Sequence, residues 1–279
     1  MPQDLITGLE PRLGVAGRIA YSLLPLRQDV VDSNIRRAFP SLTDGQVERM
    51  AAAFYAHFFR TLREFFTLPF LSRETRAAMV RVENPEVFFK ALEGGRGILM
   101  LGGHLGNWEL ALSGAILHYP EMRGLVHLVR RPFKPAWVAS MLIRRFERAG
   151  IGVIAKKQSL HHILALLAAN HSVGLVMDQH AAAKEGVLVN FFGSPAWTFK
   201  SLAVIAHRSG APVIPVAVWR EPDGHHVFYL GEPIPAISCA DPGERIRANT
   251  QLYNDALERM IVRHPDQWIW NHRRWKQNG

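Results

Sequence analysis

Apolar residues recur at intervals of three and four along 47–66: Val47, Met50, Ala51, Phe54, Tyr55, Phe58, Leu62, Phe65 and Phe66. That period predicts a helix with one apolar face. Ser41 to Asp44 supply capping candidates ahead of it, and Pro69 ends it. The rest of 1–95 also reads as helical. The stripe is unusually aromatic, which suits either a core face or a wall of an acyl-chain pocket.

From residue 96 the pattern changes. Short apolar runs at 97–101, 124–129, 152–154, 173–177, 212–219 and 226–230 read as strands. Between them, 107–118, 135–149, 160–169, 198–209 and 243–262 read as helices. The alternation predicts an α/β fold, a single domain with a mostly parallel central sheet flanked by helices. Residues 1–95 would form a helical N-terminal extension to the core at 96–279. In such sheets functional loops gather at the carboxyl ends of strands. His104 follows one predicted strand end and Asp178 another, so the fold can bring them together.

Bulk properties narrow the partners. The 279 residues are 48 % apolar and carry a formal net charge of +9. That balance favours an anionic partner: a phospholipid surface, an acidic protein, a phosphorylated substrate or nucleic acid. The single cysteine, Cys239, excludes an intramolecular disulfide. In 1–26, Glu10, Pro11, Arg12 and Arg18 break up the apolar residues, leaving 19–26 as an uncharged run that still holds Pro25. A spanning helix needs about 20 apolar residues, so no transmembrane segment is expected. A helix lying on a membrane surface and an amphipathic helix packed on the core both fit this segment.

The most informative stretch is Gly102-Gly103-His104-Leu105-Gly106-Asn107-Trp108-Glu109, at the exit of the first apolar strand. A spacing of five does not put His104 and Glu109 on one helical face. It suits a loop-to-helix corner, with Asn107 near the N-cap and Glu109 in the first turn. There the carboxylate can orient the imidazole for general-base work. A capping carboxylate beside a core histidine has the same spacing. No Gly-x-Ser-x-Gly elbow is present, which favours direct attack over an acyl-enzyme. The 13 histidines raise a metal-dependent hydrolase as a rival, yet no His-Glu-x-x-His or paired-cysteine motif occurs. No metal and no cofactor are expected.

Residues 123–157 hold nine basic side chains, Arg131 and Arg145 among them, against one acid, Glu147. Such density suggests an anion site. Only Phe133, Trp137 and Phe146 are interleaved with these cations, so nucleic acid is not an expected partner. A non-catalytic module that binds anionic surfaces is the remaining class.

Taken in order, these blocks resemble the bacterial lipid A biosynthesis acyltransferases. The His104-x4-Glu109 block is similar to that of glycerolipid-type acyltransferases in general. Arg131-Pro132, Arg145, Asp178-Gln179, the run from Phe191 to Thr198, Gly210 to Pro215 and the run from Pro265 to Lys276 are similar to further family elements, as is Asn34 to Pro40. The likeness spans nearly the whole chain. His180 stands where members often have an acid, and the N-terminal membrane span that many members carry is not expected in this sequence.

The resemblance implies transfer of a fatty acyl chain from an acyl thioester to a lipid hydroxyl, with His104 as base and Glu109 as its orienting partner. The donor would be acyl-carrier-protein or acyl-CoA. The acceptor would be a lipid A precursor or related glycolipid, with a lysophospholipid or aminolipid as the alternative. Arg131 and Arg145 would hold phosphates, and Asp178 and Gln179 would line the site. Gly-rich backbone amides near 102–106 are candidate oxyanion donors. The implied location is the cytoplasmic face of the bacterial inner membrane, attached peripherally or monotopically.

Overall fold

The computed structural model describes residues 27–130, 136–156 and 159–276. The candidate membrane segment 1–26 lies outside them.

Two helices lead. α1 spans Gln28–Ala38 and α2 spans Asp44–Thr67. The Thr43 amide donates to Gln46 Oε1 at 2.9 Å, one half of a capping box at the start of α2. Pro69 tightens the exit of α2 into a 3-10 turn at Leu68–Phe70. The aromatic stripe divides along the helix. Val47, Met50, Phe54 and Tyr55 are buried, so the first half is core. Phe66 is 62 % exposed and Leu62 40 %.

After α3 (Arg73–Ala78) comes β1 (Val80–Glu83), then α4 (Pro85–Glu93). β1 corrects the all-helical reading of 1–95: its four residues are too few to show a period, and pairing with a distant strand makes it extended. The remaining strands of the main sheet are β2 (Ile98–Gly102), β3 (Val126–Arg130), β4 (Gly152–Ala155), β5 (Ser172–Val176), β8 (Val213–Arg220) and β9 (His226–Leu230). Their order is β1-β9-β8-β2-β5-β3-β4. Only the β8–β9 pair is antiparallel, so the sheet is mostly parallel, as expected.

Helices α5 (Trp108–His118), α6 (Ala136–Ala149), α7 (Leu160–Ala168), α8 (Ser201–Ser209) and α9 (Pro242–Arg263) flank it. Strand periodicity explains the layering. Leu99 and Leu101 of β2 join the core with α2, α8 and α9, whereas Ile98 and Met100 join the core with α4, α5 and α6. Both faces are covered, which is why β2 reads as an unbroken apolar run.

A separate two-stranded hairpin, β6 (Gly186–Phe191) and β7 (Ser194–Phe199), was not expected. Its connection is Phe192-Gly193, both at positive φ (50° and 71°), the geometry of a two-residue hairpin turn. Glu258 Oε1 accepts from the Phe192 amide at 2.8 Å and helps hold that backbone. The hairpin also corrects the helix expected from 198: Thr198 and Phe199 end β7, and α8 starts at Ser201.

Candidate active site

β2 and β5 are neighbouring parallel strands with Gly102 opposite Val176. His104 and Asp178 each stand two residues past their strand end, so the register sets them side by side at the carboxyl edge. His104 Nδ1 lies 2.8 Å from Asp178 Oδ1, and the His104 amide donates to Asp178 Oδ2 at 2.6 Å. The Trp268 indole N–H donates to the same Oδ2 at 2.7 Å. Asp178 is fully buried, while 29 % of the His104 side chain is exposed.

The loop is pinned from several sides. The Gly106 amide donates to the Gln267 carbonyl at 3.1 Å, and the Ile269 amide to the His104 carbonyl at 3.2 Å. Gly106 has φ +65°, and a Cβ there would lie 2.4 Å from the Val218 carbonyl oxygen. Only glycine fits that close approach. Asn107 then caps α5, its Oδ1 accepting from the Leu110 amide at 3.2 Å.

Burial opposes charge on the His104 ring, but the Asp178 charge and hydrogen bond outweigh it and hold the imidazole pKa above 6.5. Burial likewise opposes the Asp178 charge, and its bonds with His104 and Trp268 win, holding the carboxyl below 3.8. Asp178 is thus an anionic orienter for a ring that keeps Nε2 away from it. Gln179 Nε2 is 3.5 Å from His104 Nε2, at the outer limit of a hydrogen bond. His272, whose Nε2 accepts from the His180 amide at 3.2 Å, is pushed down to about 4, chiefly by burial. It stays neutral and adds no competing charge.

The expected His104–Glu109 pair is not what forms. Glu109 Oε1 binds Arg145 at 2.8 Å, with both side chains largely buried. Arg145 also donates to the Phe65 carbonyl at 3.1 Å and lies over the Phe65 ring. The reason is geometric. Asn107 starts α5 between the two residues, and the first turn carries Glu109 towards α6 while His104 remains in the loop. Burial pushes the Glu109 carboxyl up, against the attraction of Arg145 and Arg130. Arg145, expected to hold phosphate, pairs with Glu109 in this structure. Arg131 lies outside the described residues. Of the candidate oxyanion amides, those of His104 and Gly106 already have acceptors.

Trp268 and His272 were missed as individual residues, although both lie in the quoted run from Pro265 to Lys276. That run crosses the site as a strap. Asn34 of α1 fastens it by donating to the Trp270 and His272 carbonyls, both at 2.7 Å. Arg274 donates to the Trp197 carbonyl at 2.7 Å and to Thr198 Oγ1 at 2.5 Å. Among the described residues no group of three or more His, Cys, Asp or Glu could hold a metal ion.

A histidine bonded to a buried carboxylate at the carboxyl edge of an α/β sheet is an arrangement that can take up and release a proton. The class becomes specific on comparison with known proteins: residues 1–277 match the family model described as bacterial lipid A biosynthesis acyltransferase, and the chain belongs to that family. It is an acyltransferase. The lipid A biosynthesis palmitoleoyltransferase of Escherichia coli K12 is 24 % identical over 99 % of this chain and 86 % of its own length. The lipid A biosynthesis lauroyltransferase of that strain is 23 % identical over 95 % and 84 %. The phosphatidylinositol mannoside acyltransferase of Mycolicibacterium smegmatis is 26 % identical over 79 % and 69 %.

Proposed function

We propose that this chain moves a fatty acyl group from an acyl thioester to a hydroxyl of a lipid A precursor or a related bacterial glycolipid. The observation that carries the reading is the bond between His104 Nδ1 and buried Asp178, which leaves Nε2 as the free basic nitrogen. Nε2 takes the hydroxyl proton as the oxygen attacks the thioester carbonyl. Asp178 orients the ring and balances the imidazolium that forms. The tetrahedral intermediate collapses by breaking the C–S bond, and the thiolate recovers the proton from His104. Glu109 acts through Arg145, shaping the start of α5, rather than on the ring. Gln179 lines the site, and Arg131 contacts acceptor or donor phosphate.

The carrier-protein form of the donor is favoured by charge. An acidic carrier meets a chain of net charge +9 with a gain in association rate. The place of action is the cytoplasmic face of the inner membrane, reached peripherally. Among the described residues no helix is long and apolar enough to cross a membrane.

The test uses purified chain with acyl-carrier-protein and acyl-CoA donors against a panel of lipid A precursors, phosphatidylinositol mannosides and lysophospholipids. His104→Ala and Asp178→Asn run beside the parent. Transfer to a glycolipid hydroxyl that disappears in His104→Ala supports the reading. Undiminished transfer in that variant overturns it.

A further inference from the structure

Between Arg60 and Arg73 one face of the chain is both apolar and cationic, and no other element among the described residues covers it. Phe66 is 62 % exposed, Phe70 87 % and Leu62 40 %. Leu62 and Phe66 are one helical turn apart, and the 3-10 turn continues the row to Phe70. Arg60, Arg63 and Arg73 are exposed around them. The only acid in this stretch, Glu64, points inward with 12 % of its side chain exposed. Exposed Glu74 stands beside Arg73, so the unbalanced positive charge is that of Arg60 and Arg63. Bulky aromatics projecting beside these arginines match the interface of an anionic bilayer. A water-soluble surface rarely exposes contiguous large apolar groups without a partner.

The inward face of the same turn is tied to the active-site loop. Glu64 Oε2 accepts from Asn107 Nδ2 at 2.9 Å, and Asn107 caps the helix that follows His104. Glu64 also binds Arg220 at 2.5 Å. The exposed row is therefore fixed in position relative to His104.

We infer that Leu62, Phe66 and Phe70, with Arg60, Arg63 and Arg73, form a docking surface for an anionic phospholipid bilayer. This rests on the reading of the chain as an enzyme with a lipid acceptor. The aromatic side chains enter the headgroup–acyl boundary, the guanidinium groups meet lipid phosphates, and the Glu64 link sets the height of the His104 loop above the membrane.

The experiment is flotation of the full chain with vesicles of phosphatidylglycerol and phosphatidylcholine, and with phosphatidylcholine alone. No acyl donor or acceptor is present. The expected result is binding to the anionic vesicles that falls about tenfold for each of Phe66→Ser and Phe70→Ser, and is retained in the Phe66→Trp, Phe70→Trp double variant. Circular dichroism confirms that each variant is folded.

Unchanged binding by Phe66→Ser and by Phe70→Ser overturns the inference, as does failure of the parent to bind anionic vesicles. So does a parent dimer that the serine variants turn into monomers, which would assign the row to a second copy of the chain. His104→Ala is expected to float like the parent, so a failure of the proposed chemistry and a failure of this surface give different results.

Discussion

His104 and Asp178 are locked together through two bonds at once, ring Nδ1 to Oδ1 at 2.8 Å and amide to Oδ2 at 2.6 Å. The carboxylate therefore fixes the backbone that carries the imidazole as well as the imidazole itself. One residue on β5 thus sets both the position and the tautomer of a residue on β2: with Nδ1–H donated to an anion, Nε2 is the basic nitrogen.

This coupling determines a pH dependence. In the proposed mechanism the raised His104 pKa places the acid limb of kcat/KM above 6.5, because the base must be neutral to accept a proton. In Asp178→Asn the attraction is gone and burial is left, so the limb moves below its parent position. The rate falls by about 10² to 10⁴. For stability the signs run oppositely for the two partners. The raised histidine contributes below its unfolded pKa and loses that contribution as pH rises through the folded value. The lowered carboxyl contributes above its unfolded pKa and loses that contribution as pH falls through the folded value. The pair therefore stabilises most between the ordinary values of 3.8 and 6.5. Rate profiles of parent and variant check the first effect, and urea midpoints across pH check the second.

Trp268 holds the second oxygen of a fully buried carboxylate at 2.7 Å. In Trp268→Phe the ring stays aromatic but the donor is lost, leaving Oδ2 with the His104 amide alone. Losing a hydrogen bond to a buried charge costs about 1.5–3 kcal/mol, to be measured by denaturant unfolding. With the carboxylate less firmly held, kcat is expected to fall while KM changes little.

Glu109 and Arg145 are expected to behave as a buried pair. Glu109→Gln keeps the volume but leaves the guanidinium of Arg145 without its anion, which costs about 3–5 kcal/mol. The double variant Glu109→Gln, Arg145→Met removes both charges and should recover part of that loss. Thermal unfolding of the two single variants and the double variant measures the coupling. A histidine NMR titration supplies the discriminating readout: His104 should titrate in Glu109→Gln as in the parent, and should shift only in Asp178→Asn.

Much of this architecture was legible in the sequence, because β2, β5 and β8 are apolar runs and α5, α6, α7 and α9 have clear boundaries. The adjacency of His104 and Asp178 was legible only as an expectation, since strand order in a sheet is not written in local pattern. Glu109 was the natural partner on spacing. Three-dimensional register overrode it, as Asp178 stands beside the ring although 74 positions away. The β6–β7 hairpin was hidden because Phe192 takes a positive φ that its residue type does not advertise. The link between Glu64 and Arg220 spans 156 positions, and no short motif carries it.

That link yields the last prediction. Glu64 sits among Arg220, Asn107 and His226, with Oε2 bonded to the first two at 2.5 and 2.9 Å. Burial would raise its carboxyl, but His226, Arg220 and Asn107 together lower it from 4.5 to about 2. A depressed carboxyl contributes stability above its unfolded pKa and loses it as pH falls through the folded value. The window is therefore between 4.5 and about 2, and the contribution is on the order of 3 kcal/mol. Urea unfolding at pH 6, 4 and 3 should show stability falling across this range. In Glu64→Gln the protein should be weaker at pH 6, because Arg220 is left buried without its anion, and the acid-dependent part of the loss should shrink. A variant that unfolds with the parent's full acid dependence would place that titration on other carboxyls.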